Sequence, residues 1–271
     1  MSNIVITSIL GMGGLALFFA VILAFANEKL QVKDDPKVTE IENILPNVNC
    51  GACGFLSCHE YAVHLANNTA DITSCRAGGE EVVERLSSFL GIKAKPSTKK
   101  IAILHCSADN KTRTKKADYN GILTCRAKDL IQGGDVLCEF GCLGEGDCQK
   151  VCPFDAIVME NGLPHIIPEK CTACGKCVKA CPRNLVSLEE INTKGEIIYV
   201  GCSSHDNIQI TRKSCSVGCI ACKICEKLSK DSFEIKDNLS ILNYEKVNQD
   251  ASVDLTMSKC PTKVIKKVKL K

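Results

Sequence analysis

The sequence has no tryptophan, and aromatic residues make up only 4% of its 271 positions. A chain of this length can form one to three domains, but so few aromatic side chains argue against one large aromatic-rich core. The formal net charge is only +3 and the aromatics are not interleaved with basic runs, so nucleic-acid binding has little support. The sequence also lacks a glycine-rich dinucleotide loop, and no nucleophile, base and orienting group stand together as bond-making catalysis requires.

What the chain has in excess is cysteine, with 20 residues. In a small secreted protein such a number indicates a disulfide scaffold, whereas clustered cysteines in a longer intracellular chain usually bind metal. The compartment therefore decides which chemistry these thiols perform.

The N-terminal segment indicates that compartment. Residues 4–26 form a run of 23 residues without a charge, IVITSILGMGGLALFFAVILAFA. At about 1.5 Å per residue, such a helix crosses a hydrocarbon layer of roughly 30 Å. A cleaved signal peptide is the alternative, because Ala24-Phe25-Ala26 resembles a cleavage site, but no basic residue precedes the run and it is longer than a signal core. We therefore expect residues 1–27 to be a retained membrane anchor.

Basic residues follow this anchor and none precedes it. Lys29, Lys33 and Lys37 lie just after the apolar run, and the positive-inside bias leaves the body of the protein in the cytoplasm. Thiols stay reduced there and are available to metals. The sequence therefore predicts a single-pass protein of the cell membrane with its main body on the cytoplasmic side.

The rest of the chain divides into three cysteine-rich modules after a polar linker at residues 28–37. The first module covers residues 38–95, and KPSTKK at residues 95–100 marks its boundary by proline, serine and lysine content. Residues 100–195 and 196–271 resemble each other, since each opens with an apolar, strand-like run that ends in cysteine, at Cys106 and Cys202. This similarity indicates an internal repeat.

The most specific motif is KCTACGKCVKACP at residues 170–182. Its spacing is C-x2-C-x2-C-x3-C-P, the bacterial ferredoxin run, in which three close thiolates bind one [4Fe-4S] cube; here they are Cys171, Cys174 and Cys177. Zinc usually takes its four tetrahedral ligands as two separated pairs, so it fits this triplet poorly. The fourth cysteine, Cys181, ligates the neighbouring cluster instead, with Pro182 redirecting the chain.

That neighbouring cluster is predicted in CEFGCLGEGDCQKVCP, residues 138–153. Its last cysteine occupies the crossing position, so we expect one set to be Cys152, Cys171, Cys174 and Cys177. Glu145 stands where the middle cysteine of the run would be, and Cys138 is the obvious replacement. The second predicted set is therefore Cys138, Cys142, Cys148 and Cys181, with Cys125 or a non-cysteine ligand as the alternative to Cys138.

The third module keeps one such site and has lost the other. CSVGCIACKICEKLS at residues 215–229 supplies three cysteines, but Ser229 occupies the crossing position. Further on, the pair Cys260-Pro261 lacks the three cysteines expected before it. By the crossover rule, the retained cube is bound by Cys219, Cys222, Cys225 and Cys260. We therefore predict an α+β protein with one membrane helix, a small four-cysteine module and two ferredoxin-like modules, the last half-degenerate.

The first module has a different spacing. LPNVNCGACGFLSCHEYAVHLAN at residues 45–67 and a later cysteine give C-x2-C-x4-C with a distant fourth position. Gly51 and Gly54 let the backbone approach a cluster, and a helix is predicted from about Ser57 to Asn67. We expect one [4Fe-4S] cluster, with zinc as the alternative, on Cys50, Cys53, Cys58 and Cys75.

Four cysteines remain, namely Cys106, Cys125, Cys202 and Cys215. Their matching places in the two repeats suggest a fifth cluster or a pair of disulfides. However, disulfides would be reduced in the cytoplasm, and none of the four lies in the local C-x-x-C loop that begins a cube. Cys106 and Cys202 end apolar runs, where a buried thiol behaves as a small hydrophobe. We therefore expect all four to be unligated, and about 16 irons in four [4Fe-4S] clusters.

Together these features resemble the RnfB family, the iron-sulfur subunits of the Rnf complexes, which are membrane-bound ferredoxin:NAD oxidoreductases that couple electron flow to sodium or proton transport. The resemblance covers nearly the whole chain and rests on the anchor, CGACGFLSCHEYA with CRAGGE, GCLGEGDCQKVCPFDAI and the C-terminal ferredoxin repeat. It implies an electron-relay subunit of a translocase, which accepts electrons from reduced ferredoxin and passes them to membrane partner subunits. The resemblance also implies that this subunit does not bind the nicotinamide itself.

Two other functions share some of these features. An iron-sulfur electron-transfer adaptor of another anaerobic membrane reductase or hydrogenase would carry the same ferredoxin modules. A zinc-stapled or redox-sensing interaction protein would show no iron-sulfur absorbance. Because Cys50 follows Asn27 by only 23 residues, we expect the first cluster to lie near the membrane and to be the exit cluster.

Overall fold

The computed structural model describes residues 2–30, 35–93, 99–192, 194–229, 231–248 and 250–270. Its first element, α1, is a helix of 29 residues over Ser2–Leu30. By length and composition the segment Val5–Asn27 can cross a membrane, and none of its apolar window is buried inside the protein. Helix α1 extends past residue 27, and residues 31–34 of the predicted linker lie outside the described ranges.

The remaining elements are short helices and strands, which agrees with the predicted α+β class. The helices are α2 Pro36–Ile44, α3 Cys58–Ala66, α4 Gly79–Leu90, α5 Cys125–Leu130, α6 Asp147–Lys150, α7 Lys176–Ala180, α8 Ile208–Ser214, α9 Ile224–Leu228, α10 Tyr244–Val247 and α11 Val253–Lys259, with a 3-10 turn at Ile72–Ser74. The strands are β1 Lys100–Leu104, β2 Ile157–Glu160, β3 Leu163–Ile166, β4 Val186–Glu190, β5 Glu196–Val200, β6 Phe233–Lys236, β7 Leu239–Leu242 and β8 Ile265–Lys269.

The first module is a helical unit around its own apolar core. Helices α2 and α3 pack against each other, with Ile41, Tyr61 and Leu65 fully buried between them. Ser57 caps α3 by accepting a hydrogen bond from Glu60 N at 3.0 Å. Helix α3 therefore lies where the sequence predicts a helix. The predicted boundary at residues 95–100 falls mostly outside the described residues, which omit 94–98.

The second and third modules repeat one arrangement. In each, the first and last strands pair antiparallel, β1 with β4 and β5 with β8. Each module also contains an inner hairpin, β2 with β3 and β6 with β7. In each module one short helix precedes the inner hairpin and another precedes the last strand: α6 and α7 in the second module, and α9 and α11 in the third. The structure thus has the internal repeat that the sequence predicts.

The two repeats contact each other through their first strands. Ile101 and Ile103 of β1 form a buried apolar cluster with Ile197 of β5. Just after β1, His105 donates a hydrogen bond from Nδ1 to the Val200 carbonyl at 3.0 Å. The loops that follow β1 and β5 are therefore held side by side.

Candidate iron-sulfur sites

The four cysteines of the first module surround one cavity. We call this set site 1; it consists of Cys50, Cys53, Cys58 and Cys75. The loop that carries the first pair turns at Gly51 and Gly54, whose φ angles are 71° and 92°. A residue with a side chain adopts such angles only with strain. Burial raises the pKa of the Cys75 thiol to about 11, and the three other thiols of the site add to the rise.

The ferredoxin run forms a second gathering of thiols, site 2. Its cavity is lined by Cys152, Cys171, Cys174 and Cys177. Cys152 thus lies beside the three thiols of the ferredoxin run. The backbone amide of Ala102 donates to Cys171 Sγ at 3.4 Å. Thr172 lines the same cavity, and its buried Oγ1 has no hydrogen-bond partner among the described residues. A buried donor without a partner fits a cavity that receives a sulfur-rich anion.

The third gathering, site 3, differs from the prediction. Its cavity is lined by Cys125, Cys142, Cys148 and Cys181. Cys138, the predicted fourth ligand, lines a different cavity. Burial raises the pKa of Cys148 to about 11, and Cys125 is the first among the thiols that add to this rise. The geometry therefore favours Cys125, the alternative, over Cys138.

The loop at residues 142–148 keeps the ferredoxin backbone although it lacks the middle cysteine. Gly144 and Gly146 have φ angles of 80° and 73°. The matching positions in the ferredoxin run, Ala173 and Gly175, have φ angles of 56° and 76°. The loop therefore has the shape that wraps a cube, with a carboxylate in the place of one thiol.

A buried ion-pair triad joins the helix that carries Cys125 to this loop. Lys128 on α5 has only 7% of its side chain exposed and contacts Glu145 Oε1 at 2.7 Å and Asp135 Oδ1 at 2.8 Å. The Glu145 carboxylate is thus paired with an ammonium. The second backbone amide of α5 donates to Asp147 Oδ2 at 3.2 Å. Both contacts hold α5, whose first residue is Cys125, against the loop.

Arg183 ties the same parts together next to the crossing cysteine. Its Nε donates to Asp129 Oδ1 at 2.8 Å on α5. Its Nη1 donates to the carbonyls of Cys138 at 3.1 Å and Gly141 at 2.5 Å. One guanidinium therefore fixes both α5 and the turn after Cys138, and this turn directs the Cys138 thiol to the other cavity.

The predicted thiols of the third module form one gathering, site 4. Burial raises the pKa of Cys225, and the thiols of Cys219 and Cys222 add to the rise. In the loop between them, Ala221 and Lys223 have φ angles of 49° and 62°, the same pattern as in the ferredoxin run. Non-glycine residues in this region are strained, and such strain occurs at functional sites. The site consists of Cys219, Cys222, Cys225 and Cys260, of which the first, third and fourth pack in the module core.

The lost cluster position of the third module is filled by hydroxyl groups. Counting back from Cys260 by the ferredoxin spacing gives Thr256, Val253 and Asp250 as the three former ligand positions, with Ser229 at the crossing position. Ser229 Oγ lies 2.8 Å from Thr256 Oγ1. Both residues are buried, at 3% and 0% exposure. A hydrogen-bonded core has replaced the cluster, in agreement with the predicted half-degenerate module.

The four thiols predicted to be unligated lie beside other thiols in the structure. Cys125 lies in site 3, and its three companions meet Cys138 around one cavity between the second and third modules. This central cavity is lined by Cys106, Cys138, Cys202 and Cys215. Strands β1 and β5 end at Leu104 and Val200, so Cys106 and Cys202 stand in loops and not inside buried strands. Only the matching places of the cysteines in the repeat signalled this arrangement in the sequence.

The spacing of the thiols suits a cube better than a single ion. Within the described ranges, no three cysteine, histidine or carboxylate side chains converge closely enough to hold one metal ion. All 20 cysteines are free thiols, and the sets stand around cavities instead of meeting at a point. A [4Fe-4S] cube takes its four thiolates from around its periphery, which fits this arrangement.

We expect Lys128→Met to lower the free energy of unfolding by about 3–5 kcal/mol, because two buried carboxylates lose their partner. The measurement is urea unfolding of the reduced, cluster-free protein. Lys115→Met is the matched control, because Lys115 is 55% exposed and contacts the same Asp135 at 3.7 Å. Its loss should stay below about 1 kcal/mol. Equal losses in the two variants would contradict the buried triad.

The cluster-free protein should lose stability as the pH rises above the ordinary thiol pKa. Burial raises the pKa of Cys75, Cys138 and Cys148 from 9.0 to about 11. Below pH 9.0 these thiols are protonated in both states and contribute nothing. Between 9.0 and about 11 the unfolded chain releases protons that the folded chain keeps, so stability falls. Urea unfolding midpoints measured near pH 8 and at about pH 10 test this prediction. The same midpoint at both pH values would refute it. Cluster-loaded protein is the control and should show no such trend.

Two segments match known family models. Residues 45–77, which include three cysteines of site 1 at their start and the fourth near their end, match a model described as a putative Fe-S cluster. Residues 164–187 match the 4Fe-4S binding domain and contain the ferredoxin run of site 2. With the apolar helix α1, these matches and thiol sets define a membrane-associated iron-sulfur electron-transfer protein.

Relatives along the whole chain identify the family. In the Na+-translocating ferredoxin:NAD+ oxidoreductase complex of Acetobacterium woodii, the subunit designated B is 36% identical over 98% of this chain and 78% of its own length. The corresponding subunit of the proton-translocating complex of Clostridium ljungdahlii is 34% identical over 98% and 93%. That of the ion-translocating oxidoreductase complex of Methanosarcina acetivorans is 31% identical over 98% and 99%. The chain therefore belongs to the RnfB family.

Proposed function

We propose that this chain is the electron-relay subunit of an ion-translocating ferredoxin:NAD+ oxidoreductase complex. It accepts electrons from reduced ferredoxin and delivers them to the membrane partner subunits. The names of the relatives from Acetobacterium woodii and Clostridium ljungdahlii support this assignment. A bound [4Fe-4S] cluster supplies one-electron transfer at a potential between roughly −700 and +450 mV.

The cysteines of the four numbered sites are the proposed cluster ligands. They account for 16 of the 20 cysteines, with Cys125 in the place predicted for Cys138. Each thiol set is built partly into an apolar core, which limits the access of water. In the second module, for example, Leu104, Ile157 and Leu185 form the core against which the cysteines of sites 2 and 3 pack. Solvent exclusion and hydrogen bonds to sulfur together set the potentials.

The observation that carries the relay is the closeness of sites 1 and 2. Burial raises the pKa of Cys174 in site 2, and Cys50 of site 1 adds to this rise ahead of the other thiols of site 2. Such a charge effect supports an approach of the Cys50 and Cys174 sulfurs to each other. This supports a position of the first module, which is tied to the membrane helix, beside the ferredoxin-like module. This supports an electron route from the ferredoxin-like modules through site 1 to the membrane.

The anchor supports the position of the protein at the membrane. Helix α1 ends at Leu30 and α2 begins at Pro36, so only a short stretch of chain joins the span to the first module. Six residues reach at most about 20 Å. Together with the lysines that follow the span, this supports a single-pass anchor with the modules on the cytoplasmic side and site 1 as the exit site.

Replacing Cys50 tests this route. In the complex purified with its partner subunits, Cys50→Ala should leave the bleaching of the visible absorbance by reduced ferredoxin largely intact. It should abolish ferredoxin-dependent NAD+ reduction, because site 1 lies between the ferredoxin-like modules and the membrane partners. Glu84→Ala, at an exposed position of the same module, is the control and should keep both the bleaching and the ferredoxin-dependent NAD+ reduction. Loss of bleaching in Cys50→Ala would place site 1 at the start of the route and overturn the proposed order.

A further inference from the structure

We propose that Cys106, Cys138, Cys202 and Cys215 bind a fifth [4Fe-4S] cluster in the central cavity. This inference goes beyond the proposed function, because neither family model covers the central cavity: the matches end at residue 77 and span residues 164–187. It follows from the geometry of the cavity, the way the two modules assemble it, and the polar groups that face it.

The central cavity has room for a cluster. The empty space that its lining surrounds, open solvent included, is about 480 Å³, against about 390 Å³ at site 3 and about 340 Å³ at site 2. Its thiols come from four separate stretches of chain, two in each ferredoxin-like module. Apolar groups such as Ala108, Val136 and Val217 complete the wall. The cavity therefore resembles the two sites that the ferredoxin spacing predicts.

The first two thiols are brought together by the repeat itself. Cys106 follows β1 and Cys202 follows β5 at the same distance, and these strands contact each other through buried isoleucines. Ser203 Oγ donates to the His105 carbonyl at 3.0 Å, which links the two loops directly beside the cysteines. Equivalent positions in the two modules thus face one cavity.

The other two thiols are brought together by residues 112–116. On one side of this segment, Thr114 N donates to the Ser214 carbonyl at 2.9 Å, next to Cys215. On the other side, Leu137 N donates to the Thr114 carbonyl at 2.8 Å, next to Cys138. One extended segment therefore pairs with both cysteine-bearing segments and fixes their separation.

Several hydrogen-bond donors point to an anionic, sulfur-rich ligand. The backbone amide of Cys142 donates to Cys106 Sγ, and that of Ser204 donates to Cys202 Sγ, both at 3.4 Å. Arg113 also lines the cavity, and its buried Nε has no hydrogen-bond partner among the described residues. A buried guanidinium N–H without a partner is costly unless the cavity supplies an acceptor. Four thiolates with a cube provide both the acceptor and the negative charge.

The position of the central cavity gives the cluster a role. Cys142 of site 3 also lines the central cavity. Cys202 packs in the same core as three cysteines of site 4. The central cavity therefore lies between sites 3 and 4. A cluster there would join site 4 to the other sites, and it would bring all 20 cysteines into five sets of four.

Iron analysis of the full-length protein tests the proposal without any substitution. Native protein, purified without oxygen in detergent, should contain about 20 irons and about 20 acid-labile sulfides per chain. A fully loaded protein with about 16 of each would overturn the proposal. About 16 irons together with one zinc would also overturn it, because the central cavity would then be a zinc site.

Paired substitutions identify the ligands. Cys202→Ala and Cys106→Ala should each remove about four irons, and the double variant should remove the same four, because both thiols serve one cluster. Cys202→Ala combined with Cys222→Ala should remove about eight, because Cys222 belongs to site 4. Full iron content in Cys202→Ala would overturn the proposal.

Ser216→Ala is the matched control for folding. Ser216 is exposed and adjacent to Cys215, and its Oγ donates to the Thr112 carbonyl at 3.3 Å. This variant should keep all irons. Electron paramagnetic resonance of the reduced protein adds a second readout, since Cys202→Ala should lose one spin system while sites 1 and 2 keep theirs. Loss of every signal in Cys202→Ala would show collapse of the module, and the native iron count then decides the proposal.

Discussion

Cys125→Ala is expected to remove about four irons and to share this loss with Cys148→Ala, so that the double variant also lacks about four. The reason is that both thiols line site 3. The double variant Cys125→Ala with Cys138→Ala should lack about eight, because the second thiol lines the central cavity. Iron and sulfide analysis of anaerobically purified protein measures these losses.

The ligand set read from the sequence leads to the opposite pattern. If Cys138 completed the set of Cys142, Cys148 and Cys181, then Cys138→Ala with Cys148→Ala would remove only about four irons, and Cys125→Ala none. Cys125→Ala is therefore the decisive single variant. Thr124→Ala is its control, because Thr124 caps α5 by accepting from Ala127 N at 3.1 Å but supplies no thiol. It should keep all irons.

The sequence predicted the sites whose ligands lie in local motifs. The ferredoxin spacing placed Cys171, Cys174 and Cys177 around one cavity, and the crossover rule added Cys152 from a distant stretch. The same rule brought Cys260 to site 4. Such sets can be read from the sequence because a short loop with fixed backbone angles needs no information from the rest of the fold.

Site 3 could not be predicted in full because tertiary contacts select its fourth thiol. Nothing in the spacing distinguishes Cys125 from Cys138. The choice depends on Lys128, which pairs with Glu145 and Asp135, and on Arg183, which fixes the turn after Cys138. These residues are far apart in sequence, and their pairing is visible only in the folded chain.

The central cavity was missed for a related reason. Its four thiols come from two modules. Whether they converge depends on how the two modules pack against each other, which the spacing of the cysteines does not show. The apolar runs before Cys106 and Cys202 favoured buried strands, which do form as β1 and β5. The strands end two residues earlier than that interpretation required, and the cysteines stand in the loops. A repeat that presents matching thiols from two modules is the signal that the sequence did contain.

Introducing cysteine at Ser229, Asp250, Val253 and Thr256 is expected to restore the cluster that the third module has lost, adding about four irons per chain. Asp250, Val253 and Thr256 have the ferredoxin spacing before Cys260, and Ser229 has the crossing position. Three of them already belong to one hydrogen-bonded core: Ser229 Oγ lies 2.8 Å from Thr256 Oγ1 and 2.6 Å from Ser252 Oγ. Ser252 Oγ in turn donates to Asp250 Oδ1 at 2.5 Å. The backbone therefore still brings the former ligand positions together.

The quadruple substitution should itself lower the stability of the cluster-free protein. Hydroxyl and carboxylate groups now satisfy one another in the core, and each lost hydrogen bond costs about 1 kcal/mol, so the cluster-free quadruple variant should be less stable than the parent. Cluster binding should recover that loss, because binding energy at a site formed only in the folded state adds to its stability. A triple variant that keeps Ser229 lacks the crossing thiol and should gain no stable cluster. If the quadruple variant is folded and binds no more iron than the parent, the third module has lost the cavity as well as the ligands.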